Sequence, residues 1–161
     1  MSNKLKLYPV EKFSSIREML ALAEKEAPDT YAFKYKPGEK TASGDPVVVS
    51  VTYKEFVNTT RAIGTALYER GYHGGVHVAC IGENSYNWVC VYLSTLAGDN
   101  VFVPIDKELP LAELLNVLQR SGSTVVFCTA KFEKIINENK AQLPDIKLII
   151  RTDNDDFSKL I

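Results

Sequence analysis

The sequence runs to 161 residues, and its 19 lysines and arginines nearly balance 20 aspartates and glutamates, for a formal charge of −1. That balance excludes a basic nucleic-acid arm and an acidic tail. With 45% hydrophobic and 24% charged residues, a chain of this length can bury roughly two-thirds of its surface around one core, which excludes a disordered or fibrous protein.

Taken in chain order, Ser15 to Glu18 has the pattern of a capping box, and Ile16, Met19, Leu20 and Ala23 follow at helical spacing until Pro28-Asp29. A first helix is predicted there. Tyr31 to Tyr35 and Val47 to Val51 are β-prone runs separated by Pro37, Gly38, Gly44, Asp45 and Pro46, which predicts an antiparallel hairpin with a polar loop. Thr52 to Glu55 forms a second capping box, opening a helix that buries Phe56, Thr60, Ile63 and Leu67 and ends at Gly71, Gly74 and Gly75.

Val76 to Ile81 reads as a buried strand, and Gly82 turns the chain into a helix over about Ser85 to Leu96. The apolar run Trp88 to Leu93 predicts contact on more than one side of that helix. Val101 to Ile105 is the next strand, and Pro110 suits the first turn of a helix carrying Leu111, Leu114, Leu115 and Leu118 inward. Thr124 to Cys128 is a strand. Thr129 is placed to cap a helix through Asn139 with Phe132, Ile135 and Ile136 inward, and Lys147 to Ile150 follows as a strand after Pro144. Alternating apolar strands and helices predict an α/β fold: a mostly parallel sheet with helices on both faces and the hairpin near the N-terminus.

The longest informative uncharged stretch, Asn84 to Gly98, falls short of the roughly 20 apolar residues a bilayer needs. The opening residues, Met1 to Ser15, interleave lysines with leucines and show no signal region, so the cytoplasm is the expected compartment. Cys80, Cys90 and Cys128 have neither CxxC nor metal-finger spacing and read as reduced, buried thiols.

Most candidate chemistry yields to a structural explanation. The stretch Pro37 to Gly44 imitates a phosphate loop, yet Gly44 is followed by Asp45-Pro46 instead of the Lys and Ser/Thr such a loop requires. The turn Ile81 to Ser85 has better geometry, because strand-to-helix turns at the carboxyl edge of a parallel sheet are habitual ligand sites. Glu83 would repel an anion, however, and Asn84 or Ser85 is explained as a helix cap. His73 and His77 are four apart, but the intervening Gly74 and Gly75 deny them a helix, and extended backbone would separate them by roughly 13 Å. Trp88 and Tyr92 read as packing. Asp106, Glu108 and Glu113 around Pro110 suit a helix macrodipole, and Asp153 to Asp156 lacks the glycine and closing glutamate of a calcium loop. No catalytic, cofactor-binding or metal residue is assigned, since nothing combines a nucleophile, a base and an anion stabiliser.

Several segments, in order along the chain, resemble the N-terminal part of the adenylate-forming, AMP-binding acyl-CoA synthetase superfamily. Val51 to Phe56 is similar to its motif Leu-Thr/Ser-Tyr-x-Glu-Leu, Gly71 to Ile81 to its Gly-rich approach to a Val-Ala strand, and Glu83-Asn84-Ser85 to its Asn-Ser helix start. Leu96-Ala97-Gly98 through Val103-Pro104-Ile105-Asp106 resembles the second core motif, and Ser121 to Val126 the strand after it. Gly98 stands one place farther from Pro104 than the family's glycine, with Asp99 in its stead. The resemblance covers roughly residues 14 to 150. Phe13 to Tyr35 and Lys107 to Pro110 lean toward long-chain fatty-acyl-CoA ligases.

That resemblance implies a reaction in which a fatty acid attacks the α-phosphate of ATP with Mg²⁺ present, and coenzyme A captures the acyl-adenylate. The family's Pro-Lys phosphate loop and mobile lysine domain have no counterpart here. Residues 1–161 are therefore expected to be a truncated N-terminal subdomain, inactive alone. Its expected partner is the C-terminal remainder of the parent enzyme, and its bare apolar surface favours self-association. Two alternatives stay open: a complete non-enzymatic α/β binding or interaction module, and a segment of an adenylation domain that loads a carrier protein.

Overall fold

A computed structural model describes residues 11–160 of the chain. The reading of the first residues as free of a signal region falls largely on 1–10 and lies outside the described residues. Helix α1 (Ile16–Glu26) starts at Ser15, whose side chain accepts from the Glu18 N–H. Only that half of the expected capping box forms. The Glu18 carboxylate reaches one residue farther back, accepting from both the N–H and the hydroxyl of Ser14 at 2.7 and 2.6 Å. Those bonds hold Glu18 below the ordinary carboxylate range.

Strands β1 (Tyr31–Tyr35) and β2 (Val49–Thr52) pair antiparallel as predicted, although β2 begins two residues later than the sequence suggests. The intervening turn closes on itself: the Ser43 hydroxyl donates to Asp45 at 2.8 Å and the Thr41 N–H to the Asp45 carbonyl at 2.8 Å. Its glycines hold positive φ where the chain reverses. Helix α2 (Tyr53–Glu69) has the complete capping box, with Thr52 N–H to Glu55 at 2.8 Å and Glu55 N–H to the Thr52 hydroxyl at 3.2 Å. Phe56, Thr60, Ile63 and Leu67 are all buried along it.

Strands β3 (His77–Ile81), β4 (Val101–Ile105), β5 (Val125–Cys128) and β6 (Leu148–Arg151) form one parallel sheet in the order β4-β3-β5-β6. Alternation along these strands creates two cores. Val78, Cys80, Val125, Phe127 and Ile150 face α1, α2 and α3 (Tyr86–Ala97), where the hairpin adds Phe33 and Tyr35 and Phe157 comes from α6 (Asp155–Leu160). Ala79, Ile81, Val126, Cys128 and Ile105 face α4 (Leu111–Ser121) and α5 (Ala130–Glu138).

Connection β3-α3-β4 thus runs over one face, while β4-α4-β5 and β5-α5-β6 return over the other. The reversal lies between β3 and β5, the switch point of a doubly wound sheet. Three details differ from the expected helices. Leu111 is 52% exposed because Pro110 takes the cap position and α4 turns its stripe through Leu114, Leu115 and Leu118. Ile135 is only half-buried on α5. Tyr92 is 37% exposed, so α3 buries Cys90, Val91, Ser94 and Thr95 while its outer aromatics stack at the sheet edge.

Candidate functional site

Parallel pairing aligns the strand ends, and the residues just past those ends meet in the same register. Ile81 opposes Cys128, so Gly82 lies against Thr129: a Cβ at Gly82 would stand 3.0 Å from the Thr129 methyl. Ile81 also opposes Ile105, and two residues on, Lys107 places its ammonium 2.6 Å from both oxygens of Glu83. Cys128 opposes Arg151, and two residues on, the Asp153 carboxylate accepts from the Ala130 N–H at 3.0 Å. One rule of register therefore builds the carboxyl edge of the sheet.

The sequence offers Thr129 as the cap of α5, but its side chain makes no cap hydrogen bond; Asp153, reaching across from the next strand, does that work. Burial pushes Asp153 upward, while the Ala130 N–H and the Arg151 guanidinium at 3.0 Å pull it down, and its carboxyl ends below the ordinary value. Glu83, expected only to repel anions, is the main cause that raises the Lys107 ammonium, with Glu108 adding at 3.5 Å. Ser85 caps α3 through the Trp88 N–H at 3.2 Å, as expected, and Asn87 donates to the Thr152 carbonyl at 2.7 Å.

The other singled-out residues separate. Asp106 accepts from the Glu108 N–H at 2.9 Å, and Glu113 lies in the first turn of α4, so the two do not form a paired acid-base site. His77 donates through Nδ1 to the Ser121 carbonyl, whereas His73 stacks on Tyr68 with ring centroids 4.5 Å apart. Trp88 and Tyr92 pack on each other and on Phe102 at 5.0–5.7 Å. Asp153 and Asn154 lead into α6; the side chains of Asp155 and Asp156 lie outside the described residues.

All three thiols are buried. Burial, with Cys128 nearby, pushes Cys80 up to about 12; burial and the carboxylates of Glu133 and Asp153 push Cys128 up to about 12. Burial pushes Cys90 up to about 11 against the opposing effect of the nearby Tyr86 and Thr60 hydroxyls, and the buried Thr60 hydroxyl has no hydrogen-bond partner among the described residues. Thiols held this far above neutrality stay protonated and unreactive.

Sequence reasoning missed Asn100 altogether. This buried amide accepts from the Val76 N–H at 3.1 Å and donates to the Tyr72 carbonyl at 3.2 Å, tying the entries of β3 and β4 at the amino edge. Beside it, Asp99 has φ +56, the one non-glycine with positive φ among the described residues. Arg17 donates to the Ala97 carbonyl and, at 3.1 Å, to the Asp99 carboxylate, so α1 is stapled to the end of α3.

This fold is shared with solved adenylate-forming ligases. The N-terminal domain of FACL13 from Mycobacterium tuberculosis superposes with a TM-score of 0.75 over 92% of this chain and 36% of its own, at 22% identity. The anthranilate CoA ligase AuaEII, crystallised with anthranoyl-AMP, gives 0.74 over 93% of this chain and 28% of its own, at 17% identity. In sequence, 95 residues (59% of this chain) are 30% identical to the 3-[(3aS,4S,7aS)-7a-methyl-1,5-dioxo-octahydro-1H-inden-4-yl]propanoyl:CoA ligase of Rhodococcus jostii (strain RHA1). Another 25% identity over 96 residues (60% of this chain) relates it to the fatty acid–[acyl-carrier-protein] ligase ScoC of Streptomyces coeruleorubidus. The chain spans 18% of the length of each of these two relatives. Among the described residues, no helix is long and apolar enough to cross a membrane. The model of the AMP-binding enzyme family matches residues 23–161, and the chain belongs to that family.

Proposed function

We propose that residues 1–161 form the N-terminal scaffold subdomain of an ATP-dependent acyl-CoA ligase whose catalytic groups lie elsewhere in a longer polypeptide. The family match together with relatives of which the chain spans 18% carries this reading. In the complete enzyme a carboxylate oxygen would attack the α-phosphorus of ATP, pyrophosphate would leave, and a thiol would then displace AMP from the acyl carbon. ATP, Mg²⁺ and coenzyme A belong to that larger protein.

The groups at the carboxyl edge do not fit a triphosphate. Lys107 is engaged by Glu83 and Glu108, and Arg151 by Glu133 and Asp153, so the named carboxylates outnumber the cations. No step of the reaction is assigned to them. Their role is to hold the ends of adjacent strands in fixed register, which is what a scaffold contributes to catalysis by orientation.

The test compares two proteins: residues 1–161, and the product of the same gene expressed to its natural stop codon. The longer product should release pyrophosphate when given ATP, Mg²⁺ and a fatty acid, and residues 1–161 should release none. Pyrophosphate release by residues 1–161 unaided would overturn the proposal. A second reading, loading of a carrier protein, is favoured by the likeness to ScoC. Offering coenzyme A and a phosphopantetheinyl carrier protein as competing acceptors separates the two. As a segment of a larger protein, residues 1–161 should also associate with rising concentration, and sedimentation as a monomer across a wide concentration range would oppose that.

A further inference from the structure

A cleft of about 680 Å³ opens at the amino edge of the sheet, between α1, α2 and the end of α3. Gly64 on α2 gives it depth: a Cβ there would meet only the Ser94 carbonyl of α3, at 3.8 Å. Leu20 and Ala21 of α1 form the facing wall, so α1 is the element that must move to uncover it.

Helix α1 is held unlike its neighbours. Of its 11 residues only Leu20 is buried, whereas six are buried on α2 and four on α3; Ile16 and Met19 pack only partly against the core. Isolated helices of fewer than about 12–15 residues are marginal in water, so α1 persists through what it touches. Its two ends are secured by different means. Behind Ala27, the Lys54 and Tyr53 N–H groups at the start of α2 donate to the carbonyls of Pro28 and Thr30 at 3.1 and 3.0 Å. At the far end one side chain, Arg17, donates to the Ala97 carbonyl and, at 3.1 Å, to Asp99. Between them Glu24 pairs with Arg61 of α2 at 2.7 Å. The Arg17 side chain is 64% exposed and that of Asp99 82%, and surface pairs of this kind are weak.

We propose that α1 is a latched lid over the cleft, turning at Ala27 and held shut at its far end by Arg17. Opening parts both ion pairs and lifts Leu20 from the core, while α2, α3 and the sheet stay folded, a local opening distinct from global unfolding. The backbone bonds at Pro28 and Thr30 remain as the pivot. Asp99 and Glu24 are spent on keeping the lid closed. The device is independent of the adenylation reading, since it uses no group of the switch-point edge and no nucleotide.

The test is thiol labelling of Thr60→Cys protein with iodoacetamide, read residue by residue from peptide masses. Position 60 is 1% exposed and lines the cleft, so its thiol is reached when α1 opens; Cys80, buried on an inner strand, is reached when the sheet unfolds. Position 60 should be labelled at least about a hundredfold faster than Cys80, the mark of a local opening. Adding Arg17→Gln should speed position 60 about tenfold, the loss of an exposed pair and a hydrogen bond from a charged donor. Adding Asp153→Ala, at the opposite edge, should speed Cys80 about fivefold through the lost helix cap. It should leave position 60 unchanged, because the lid-open form carries that loss as fully as the closed one. Labelling of position 60 at the rate of Cys80, no acceleration by Arg17→Gln, or equal acceleration of both thiols by Asp153→Ala would each overturn the proposal. Ser94→Cys, on the wall formed by α3 and likewise 1% exposed, reports the same opening and decides the matter if Thr60→Cys does not fold.

Discussion

The two ends of the parallel sheet solve the same problem by different means. At the carboxyl end, residues in matching register meet directly: Gly82 on Thr129, Lys107 on Glu83, Asp153 on the Ala130 N–H. At the amino end one buried side chain, Asn100, ties two strand entries, and Arg17 staples α1 from outside. The first arrangement distributes its contacts over four loops. The second concentrates them and leaves a cleft.

If that contrast is right, the amino end should be the more fragile to a single substitution. Asn100→Ala strands the Val76 N–H and the Tyr72 carbonyl, and the loss should be about 2–3 kcal/mol by urea denaturation, since an unsatisfied buried group costs about 1–3 kcal/mol. Hydrogen exchange should accelerate first at the starts of β3 and β4. A loss below half a kcal/mol would mean that water replaces the amide and the concentration is only apparent.

The carboxyl end is best challenged at its closest approach. Gly82→Ala forces a methyl to within 3.0 Å of the Thr129 methyl, an overpacking worth about 1–2 kcal/mol. Gly82 also holds φ +157, a backbone that strains any side chain, so Thr129→Ser, which removes the opposing carbon, should recover only part of the stability in the double variant. Additive losses in the double-mutant cycle would show that the backbone of Gly82, and not its neighbour, sets the requirement.

Charge sharpens the comparison at the same edge. Asp153 has its folded value depressed by the Ala130 N–H and Arg151 against the opposing effect of burial. Its contribution is therefore present above the unfolded carboxylate value and lost as pH falls through the lower folded one. Asp153→Ala should cost about 1 kcal/mol near neutrality, the usual effect of losing a helix cap. The gap between variant and parent should close in acid, and a gap independent of pH would assign the loss to packing instead.

Local chemistry was legible in the sequence because it acts over three or four residues. The Thr52 to Glu55 box, the Ser85 cap and the apolar strands follow from neighbours along the chain. What escaped depends on register between segments far apart. Nothing near Thr129 announces that Asp153 will displace it as the cap, and nothing near Glu83 announces Lys107. Once Ile81 is set opposite Ile105 and Cys128 opposite Arg151, both partnerships follow by counting two residues onward. The cleft was illegible for a related reason: it is made by the absence of a side chain at Gly64 on one helix and small residues on another.

Asp99 joins the two levels. Position 99 takes φ +56, a left-handed backbone that glycine would adopt without strain, and this chain places aspartate there. Aspartate tolerates the left-handed region better than most residues, but still at a cost below the roughly 1–2 kcal/mol of an ordinary L-residue. Against that cost stands the exposed pair with Arg17, worth about 0–1 kcal/mol. Asp99→Gly should therefore shift stability by only a few tenths of a kcal/mol, favouring the variant in high salt, where the pair is screened, and less so in low salt. Thermal midpoints measured at both ionic strengths separate the terms. A variant much less stable than the parent at either would show that the Arg17 staple, and not the turn, holds α1 in place.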